Sequence, residues 1–301
     1  MHQPRMSLLV LVALLAVSVC SSCLDSDRNV QIELLQLQTS DGVPLNAALR
    51  EPRSTRANGA VVMVHGYGGN FYSGIMSFLP EALASGGFAT LTLNMRDHGL
   101  GPKKNLFEEN RYDVAAGVDE MARRGHKVIF LYGHSMGSNR VLYYVAATKD
   151  PRIRGVILTG PPGNLFEWNA RVFGREAATR VLRHAQELVG KGKGQEWILI
   201  DLGPLGKALY TAQHVVSLRG PATRSDPLKN IARVSKPTLI VHGVADRLAD
   251  PAVADKLRDS APPNSQVTVL KIPGANHRFR DHQVALEEAI LEWLLEHSDG
   301  R

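Results

Sequence analysis

The sequence predicts an α/β protein: a mainly parallel sheet with helices on both faces and a helical cap insertion over one edge. Three observations carry this reading. From about residue 29 onward, short β-branched apolar runs alternate with stretches whose apolar residues recur at helical spacing. The runs at 60–64 and 128–132 are almost wholly apolar, as strands buried on both faces must be. Between two later strands the rhythm is interrupted by a segment at 164–225 with a mostly helical pattern. The 301 residues suit one large domain or two modest ones. At 44% hydrophobic and 21% charged residues, the chain is neither disordered, collagen-like nor a polytopic membrane protein.

The amino terminus follows different physics. His2 and Arg5 precede an apolar stretch at 6–19 broken only by Ser7 and Ser18. Such a stretch is shorter than the roughly 20 residues that cross a bilayer core, and it matches the apolar region of an export signal. Residues 1–22 are therefore expected to be a signal peptide. Both cysteines of the chain follow, in Val19-Cys20-Ser21-Ser22-Cys23. This resembles a bacterial lipobox, in which small residues precede a cysteine that is lipidated and becomes the first residue. The resemblance implies Cys23 as the anchor, with 23–29 as a tether, although Cys20 stands where Leu is usual. Cys20 is the other candidate, but Val19 before it is large. The expected location is outside the cytoplasm, as a lipoprotein on the outer side of the cytoplasmic membrane or in the periplasm or outer membrane. The alternative is a soluble secreted protein cleaved near Ser22. With no cysteine after Cys23, a disulfide framework, a thiol nucleophile and a Cys-ligated zinc are excluded from the mature domain. A net charge of +6 without a Lys/Arg run, and only 6% aromatics, argue against a nucleic-acid partner.

The domain at 30–301 reads in order as follows. Strands at 32–39 and 45–50 flank the turn Ser40-Asp41-Gly42. A buried strand at 60–64 precedes a helix at 72–85, stopped by Gly86-Gly87, and a strand at 88–93. A helix at 112–124 carries Val114, Val118 and Met121 on one stripe and stops at Gly125. The strand 128–132 leads into a helix at 137–148, and the strand 153–158 closes this half. In the insertion, Leu165, Val172, Val181, Leu182, Ala185, Leu188 and Val189 keep helical spacing until Gly190-Lys191-Gly192-Lys193-Gly194 breaks it. That run lacks the order of a phosphate loop and reads as a turn. Strands at 238–241 and 267–272 and a closing helix at 284–295 complete the chain.

Gly133-His134-Ser135-Met136-Gly137 joins a predicted strand to a predicted helix. A serine on such a turn takes a tight backbone conformation that flanking glycines permit, and its hydroxyl is presented at the sheet edge above a helix amino terminus. Serine needs a base, and the order expected for this turn is serine, acid, histidine. Asp246 follows the strand that ends in His242-Gly243, and His277 follows Pro273-Gly274 after the last strand. Ser135, Asp246 and His277 are thus the candidate catalytic residues. Among rivals, Asp250 before Pro251 reads as a helix cap and His282 as a surface residue within the closing helix. His134 and His242 read as structural. The glycine-rich His65-Gly66-Tyr67-Gly68-Gly69 follows a strand and exposes backbone N–H groups, so the amides of Tyr67 and Met136 are the expected oxyanion donors. Phe71 spoils the Gly-x-Gly-x-x-Gly spacing of a dinucleotide loop. No metal-ligand spacing exists among the eleven histidines, and no cofactor is expected.

These features together resemble the α/β-hydrolase superfamily. The match comprises His65-Gly66, the turn at Ser135, Asp246 in a His-Gly-x-x-Asp setting, and His277. Asn94-Met95-Arg96-Asp97-His98-Gly99 resembles the family's Asp-x-Arg-Gly-His-Gly segment, with Asn for Asp at 94 and Asp for Gly at 97. Asp226-Pro227-Leu228 looks like the cap exit of esterase and monoacylglycerol-lipase-like members. The resemblance implies a cofactor-independent serine hydrolase acting on a small-molecule carboxylic ester. Thioesterase, acyltransferase and peptidase activities use the same machinery, and a non-catalytic membrane-tethered binding protein is the alternative of another class.

Overall fold

The middle of the sheet is set by segments with almost nothing polar in them. The strand β3 (Ala60–Val64) is AVVMV, and all five residues are buried. Its side chains alternate between two cores, as a period of two requires: Val61 and Met63 pack in one, Val62 and Val64 in the other. In the computed structural model, which describes residues 29–53, 55–201 and 206–298, eight strands form the main sheet. These are β1 (Val30–Gln38), β2 (Pro44–Pro52), β3, β4 (Ala89–Leu93), β5 (Ile129–His134), β6 (Ile153–Thr159), β9 (Thr238–Gly243) and β10 (Val267–Ile272). Their order is β1-β2-β4-β3-β5-β6-β9-β10. The β1–β2 and β2–β4 pairs are antiparallel and every other pair is parallel. The expected signal segment, both cysteines and all of the tether but Asn29 lie outside the described residues.

The helices α1 (Leu79–Ser85) and α9 (Gln283–Ser298) cover one face, burying Leu79, Leu83, Ile290 and Trp293 against Val61, Met63 and Phe130. Helices α2 (Asn110–Arg123), α3 (Met136–Thr148), α7 (Pro227–Ile231) and α8 (Ala252–Ser260) cover the other, around Val62, Val64 and Leu131. Burial on both faces accounts for the uninterrupted apolar runs in the parallel strands.

Three expectations are corrected. The helix expected at 72–85 is a 3₁₀ turn at Gly74–Ser77 followed by α1, because Pro80 suits the first turn of a helix and Gly74, at φ 61°, breaks the path before it. The insertion, expected to be helical, contains α4 (Leu165–Phe173), α5 (Arg175–Gly190) and α6 (Ala212–Arg219), but also an antiparallel hairpin of β7 (Trp197–Asp201) and β8 (Lys207–Thr211). In β7 Ile198 and Ile200 are buried while Trp197 and Leu199 are exposed, so apolar residues on the outer face disguise the two-residue period. His282 is not within the closing helix. Phe279 and Asp281 have φ of 52° and 63°, and α9 starts only at Gln283. Asp250 does accept the Ala252 N–H at the start of α8, at 3.0 Å.

The hairpin is tied to the main domain through Lys103. Its N–H donates to Leu209 O and its carbonyl accepts from Thr211 N–H, both at 2.9 Å. His214 on α6 adds a 2.6 Å bond from Nδ1 to Asn105 O.

Packing is very close where α3 crosses β3. A Cβ on Gly137 would sit 2.3 Å from Val64 O and 2.8 Å from His65 O. Gly137→Ala is therefore expected to cost about 2–3 kcal/mol, because backbone rather than a flexible side chain must move. Gly101→Ala, with open space at its Cβ, should change stability by less than about 0.5 kcal/mol. Denaturant unfolding of the two variants checks this, and equal stabilities would contradict it.

Candidate active site

The chain passes from β5 to α3 through the single residue Ser135, with φ 52° and ψ −125°. Such a conformation costs a non-glycine residue about 1–3 kcal/mol and persists only where its surroundings hold it. The Ser135 N–H donates to Thr159 O on β6 at 2.8 Å, and its carbonyl accepts from Ser138 N–H at 2.9 Å. Ser138 Oγ closes the turn on Gly133 O at 2.9 Å. Met136, the next residue, opens α3 and so has an N–H without an intrahelical acceptor.

Asp246 lies in the loop after β9 and is 5% exposed. Its Oδ1 accepts from Leu248 N–H and Ala249 N–H, both at 2.8 Å. Its Oδ2 is 2.7 Å from His277 Nδ1 and 3.2 Å from His242 Nε2. Burial alone would raise this carboxyl. Its contacts with His242 and His277 and the Ala249 N–H outweigh that and hold it well below the usual carboxylate range. An ionised Asp246 on Nδ1 assigns the His277 proton to that nitrogen and leaves Nε2 as the acceptor of a neutral ring.

His134 and His242, read from sequence as structural, both touch this pair. His242 is fully buried and is the second imidazole beside Asp246. The His134 ring lies 4.9 Å from that of His277, with Nδ1 3.1 Å from Thr159 Oγ1. Burial, then the neighbouring His277, push His134 well below an ordinary imidazole, so it stays neutral. Only the serial position of these residues beside strand ends could have signalled their contact with the acid and base.

The loop after β3 approaches the serine as closely as glycine allows: a Cβ on Gly66 would lie 2.9 Å from Ser135 Cβ. His65, 2% exposed, donates from Nδ1 to Gly66 O at 2.7 Å and accepts the Met95 N–H at Nε2 at 3.2 Å. Burial, reinforced by Arg140, lowers it to about 3. Asn94 Oδ1 holds the Phe71 N–H at 2.9 Å, so the asparagine that departs from the family pattern supports this loop. The Arg140 side chain, fully buried on α3, donates to His65 O at 3.0 Å and to Asp97 Oδ1 at 2.5 Å. Burial would raise Asp97, but Arg140 outweighs it and holds the carboxyl at about 2. The sequence signal for Arg140 was Asp97 itself, since a carboxylate in a buried segment needs a cation.

Ser135, His277 and Tyr67 line one cavity of about 230 Å³ together with Ile75, Met76 and Leu248. Trp168 on α4 closes it from the insertion, and its Nε1 donates to Leu248 O at 2.8 Å. Tyr67, Ser135 and Met136 share an adjoining slot, while Asp246 sits behind His277. Ser135, Asp246, His277, Tyr67 and Met136 thus lie close together, while Cys23 is outside the described residues.

A mainly parallel sheet with a serine on a strand-to-helix turn, and an acid–histidine pair on the loops after later strands, is the arrangement of the α/β hydrolases. The family model described as "Alpha/beta hydrolase family" matches residues 61–289, and the chain belongs to that enzyme family. It is 25% identical to a monoglyceride lipase of Saccharomyces cerevisiae over 252 residues, 74% of this chain and 79% of that one. It is 29% identical to a 2-(acetamidomethylene)succinate hydrolase of Mesorhizobium japonicum over 212 residues, 63% of this chain and 72% of that one. Among solved structures, Est1E from Butyrivibrio proteoclasticus shares the fold with a TM-score of 0.67 at 21% identity, covering 88% of this chain and 98% of that one.

The neutral His65 has a consequence for acid stability. Unfolded, it titrates as an ordinary imidazole near 6.5, whereas folded it stays neutral to about 3. Between those values the unfolded chain binds the additional proton, so stability falls as pH falls. His214, lowered to about 4 chiefly by burial, acts in the same direction. Tm should decline between pH 7 and pH 4, less steeply in His65→Asn; identical slopes in the two proteins would contradict the assignment.

Proposed function

We propose that this enzyme is a serine hydrolase that cleaves carboxylic esters through an acyl-enzyme, with Ser135, His277 and Asp246 as its triad. The observation that carries the reading is the His277–Asp246 bond of 2.7 Å, with His277 lining the same cavity as a serine on a strained turn. Ser135 Oγ attacks the ester carbonyl as His277 Nε2 takes its proton. Asp246 stabilises the imidazolium so formed. The carbonyl oxygen becomes an oxyanion that receives the N–H groups of Tyr67 and Met136. As the intermediate collapses, the ester C–O bond breaks and the leaving alkoxide takes the proton from His277. Water then attacks the acyl-serine with His277 again as base, releasing the carboxylic acid and restoring Ser135.

Esters are favoured over thioesters, amides and acyl transfer by the company the chain keeps, since its relatives include a monoglyceride lipase and its structural neighbours include esterases. A non-catalytic binding role would leave the triad without a purpose.

The purified protein should hydrolyse small carboxylic esters. Ser135→Ala and His277→Ala should each lower kcat by at least about 10³, while His282→Ala stays within about twofold. Activity should fall at acid pH, because a protonated base cannot accept a proton from serine. Greater damage from His282→Ala than from His277→Ala would overturn the choice of base.

The amino-terminal pattern supports export with lipid on Cys23, which would hold the enzyme at a membrane surface. A lipoprotein cysteine with more than one acyl chain anchors durably, whereas a single chain does so only marginally. Full-length protein should partition into the detergent phase and Cys23→Ser should not. Unchanged partitioning of both Cys23→Ser and Cys20→Ser would refute the anchor.

A further inference from the structure

Arg219, the last residue of α6, is 9% exposed, and its Nε and Nη1 have no hydrogen-bond partner among the described residues. Its guanidinium carbon lies 5.5 Å from the centre of the Tyr210 ring, and no carboxylate reaches it in an ion pair among the described residues. Arg96 meets Asp113 and Asp41, and Arg140 meets Asp97. Arg50 on β2 also has Nε and Nη1 without a partner among the described residues, but it lines neither the cavity nor the slot beside Ser135. A cation withdrawn from water without a counter-ion is costly, and a fold that keeps one normally supplies the anion from elsewhere.

The place of this side chain indicates where that anion comes from. Arg219 forms part of the wall of a slot of about 30 Å³ whose other walls include Tyr67, Ser135, Met136, Leu165 and Trp168. The slot adjoins the serine directly and admits one compact group, not an acyl chain. Neither it nor the larger cavity is lined by a carboxylate, and Arg278 adds a second cation at the larger one.

We propose that Arg219 is a specificity-determining residue and that the substrate is an ester bearing a free carboxylate a few bonds from the scissile carbonyl, as in the hemiester of a dicarboxylic acid. This rests on the reading of Ser135 as the nucleophile. Arginine is suited to the task, since it is always charged and its planar donors match a carboxylate. Tyr67 and Trp168 flank the carboxylate with apolar surface that shields the pair from water, which strengthens it.

The test separates recognition from catalysis. In a Ser135→Ala background, binding of monomethyl succinate and of dimethyl succinate is measured by calorimetry. The monomethyl ester should bind at least tenfold more tightly. Adding Arg219→Gln should abolish that preference, and Arg219→Lys, which keeps the charge, should retain part of it. Circular dichroism and Tm verify that each variant is folded. Equal affinity for the two esters in Ser135→Ala, or a preference that survives Arg219→Gln, overturns the proposal. Hydrolysis of the same pair by the wild-type protein is scored separately. Turnover of the dimethyl ester with no preference for the monomethyl ester overturns the role of Arg219 alone. Turnover of neither ester, with a binding preference intact, overturns the hydrolase reading and leaves the anion site standing.

Discussion

At Ser135 the chain must leave a parallel strand and enter a helix within one residue, and a left-handed φ of 52° is how it does so. That conformation is unfavourable in isolation, so the rest of the site is arranged to hold it. The Thr159 carbonyl on the neighbouring strand fixes its amide, and α3 presses on β3 at Gly137 so closely that no side chain fits between them. The same crossing carries Arg140 against the carbonyl of His65. The strained turn and the glycine-rich loop are therefore one mechanical unit. Any shift of the serine also moves the loop packed against it at Gly66.

Apart from Arg219, the buried charge around this unit is paired or suppressed. Arg96 holds the segment after β4 through Asp113, which burial raises to about 6 even against the pull of that arginine. Arg140 holds the same segment through Asp97. Buried pairs of this kind contribute little net stability, because desolvation offsets most of their attraction, but breaking one is expensive. Their effect is geometric, confining the loops at 65–69 and 94–99 to one arrangement. Near the base, the opposite device operates. His134 stays neutral beside His277, so it fills space without repelling the imidazolium that the proposed mechanism forms there.

Much of this was legible in the sequence because it depends on chain order and local pattern. Apolar runs with no polar face can only be central strands, and β3, β5 and β9 read so. Serine, acid and histidine each follow a strand end, so a parallel sheet carries them to one edge without any knowledge of contacts. What escaped depends on contacts between distant segments. The hairpin of β7 and β8 carries Trp197 and Leu199 on its outer face, which hides the alternation. His282 lies just before α9 because two residues ahead of it adopt positive φ, which no periodicity reports. Arg140 and Arg219 sit on helices where an arginine ordinarily reads as a solvated face. Only the carboxylate facing one, and the absence of a carboxylate facing the other, gives them meaning.

In the proposed mechanism, the strain at Ser135 serves to present an activated nucleophile to the cavity it shares with His277. The most direct measurement is to treat the folded protein with a fluorophosphonate and locate the adduct by peptide mass spectrometry. A single phosphonyl group on the peptide containing Ser135, absent when the protein is unfolded before treatment, is the result expected. An adduct on another residue, or a folded protein that stays unmodified, would contradict it.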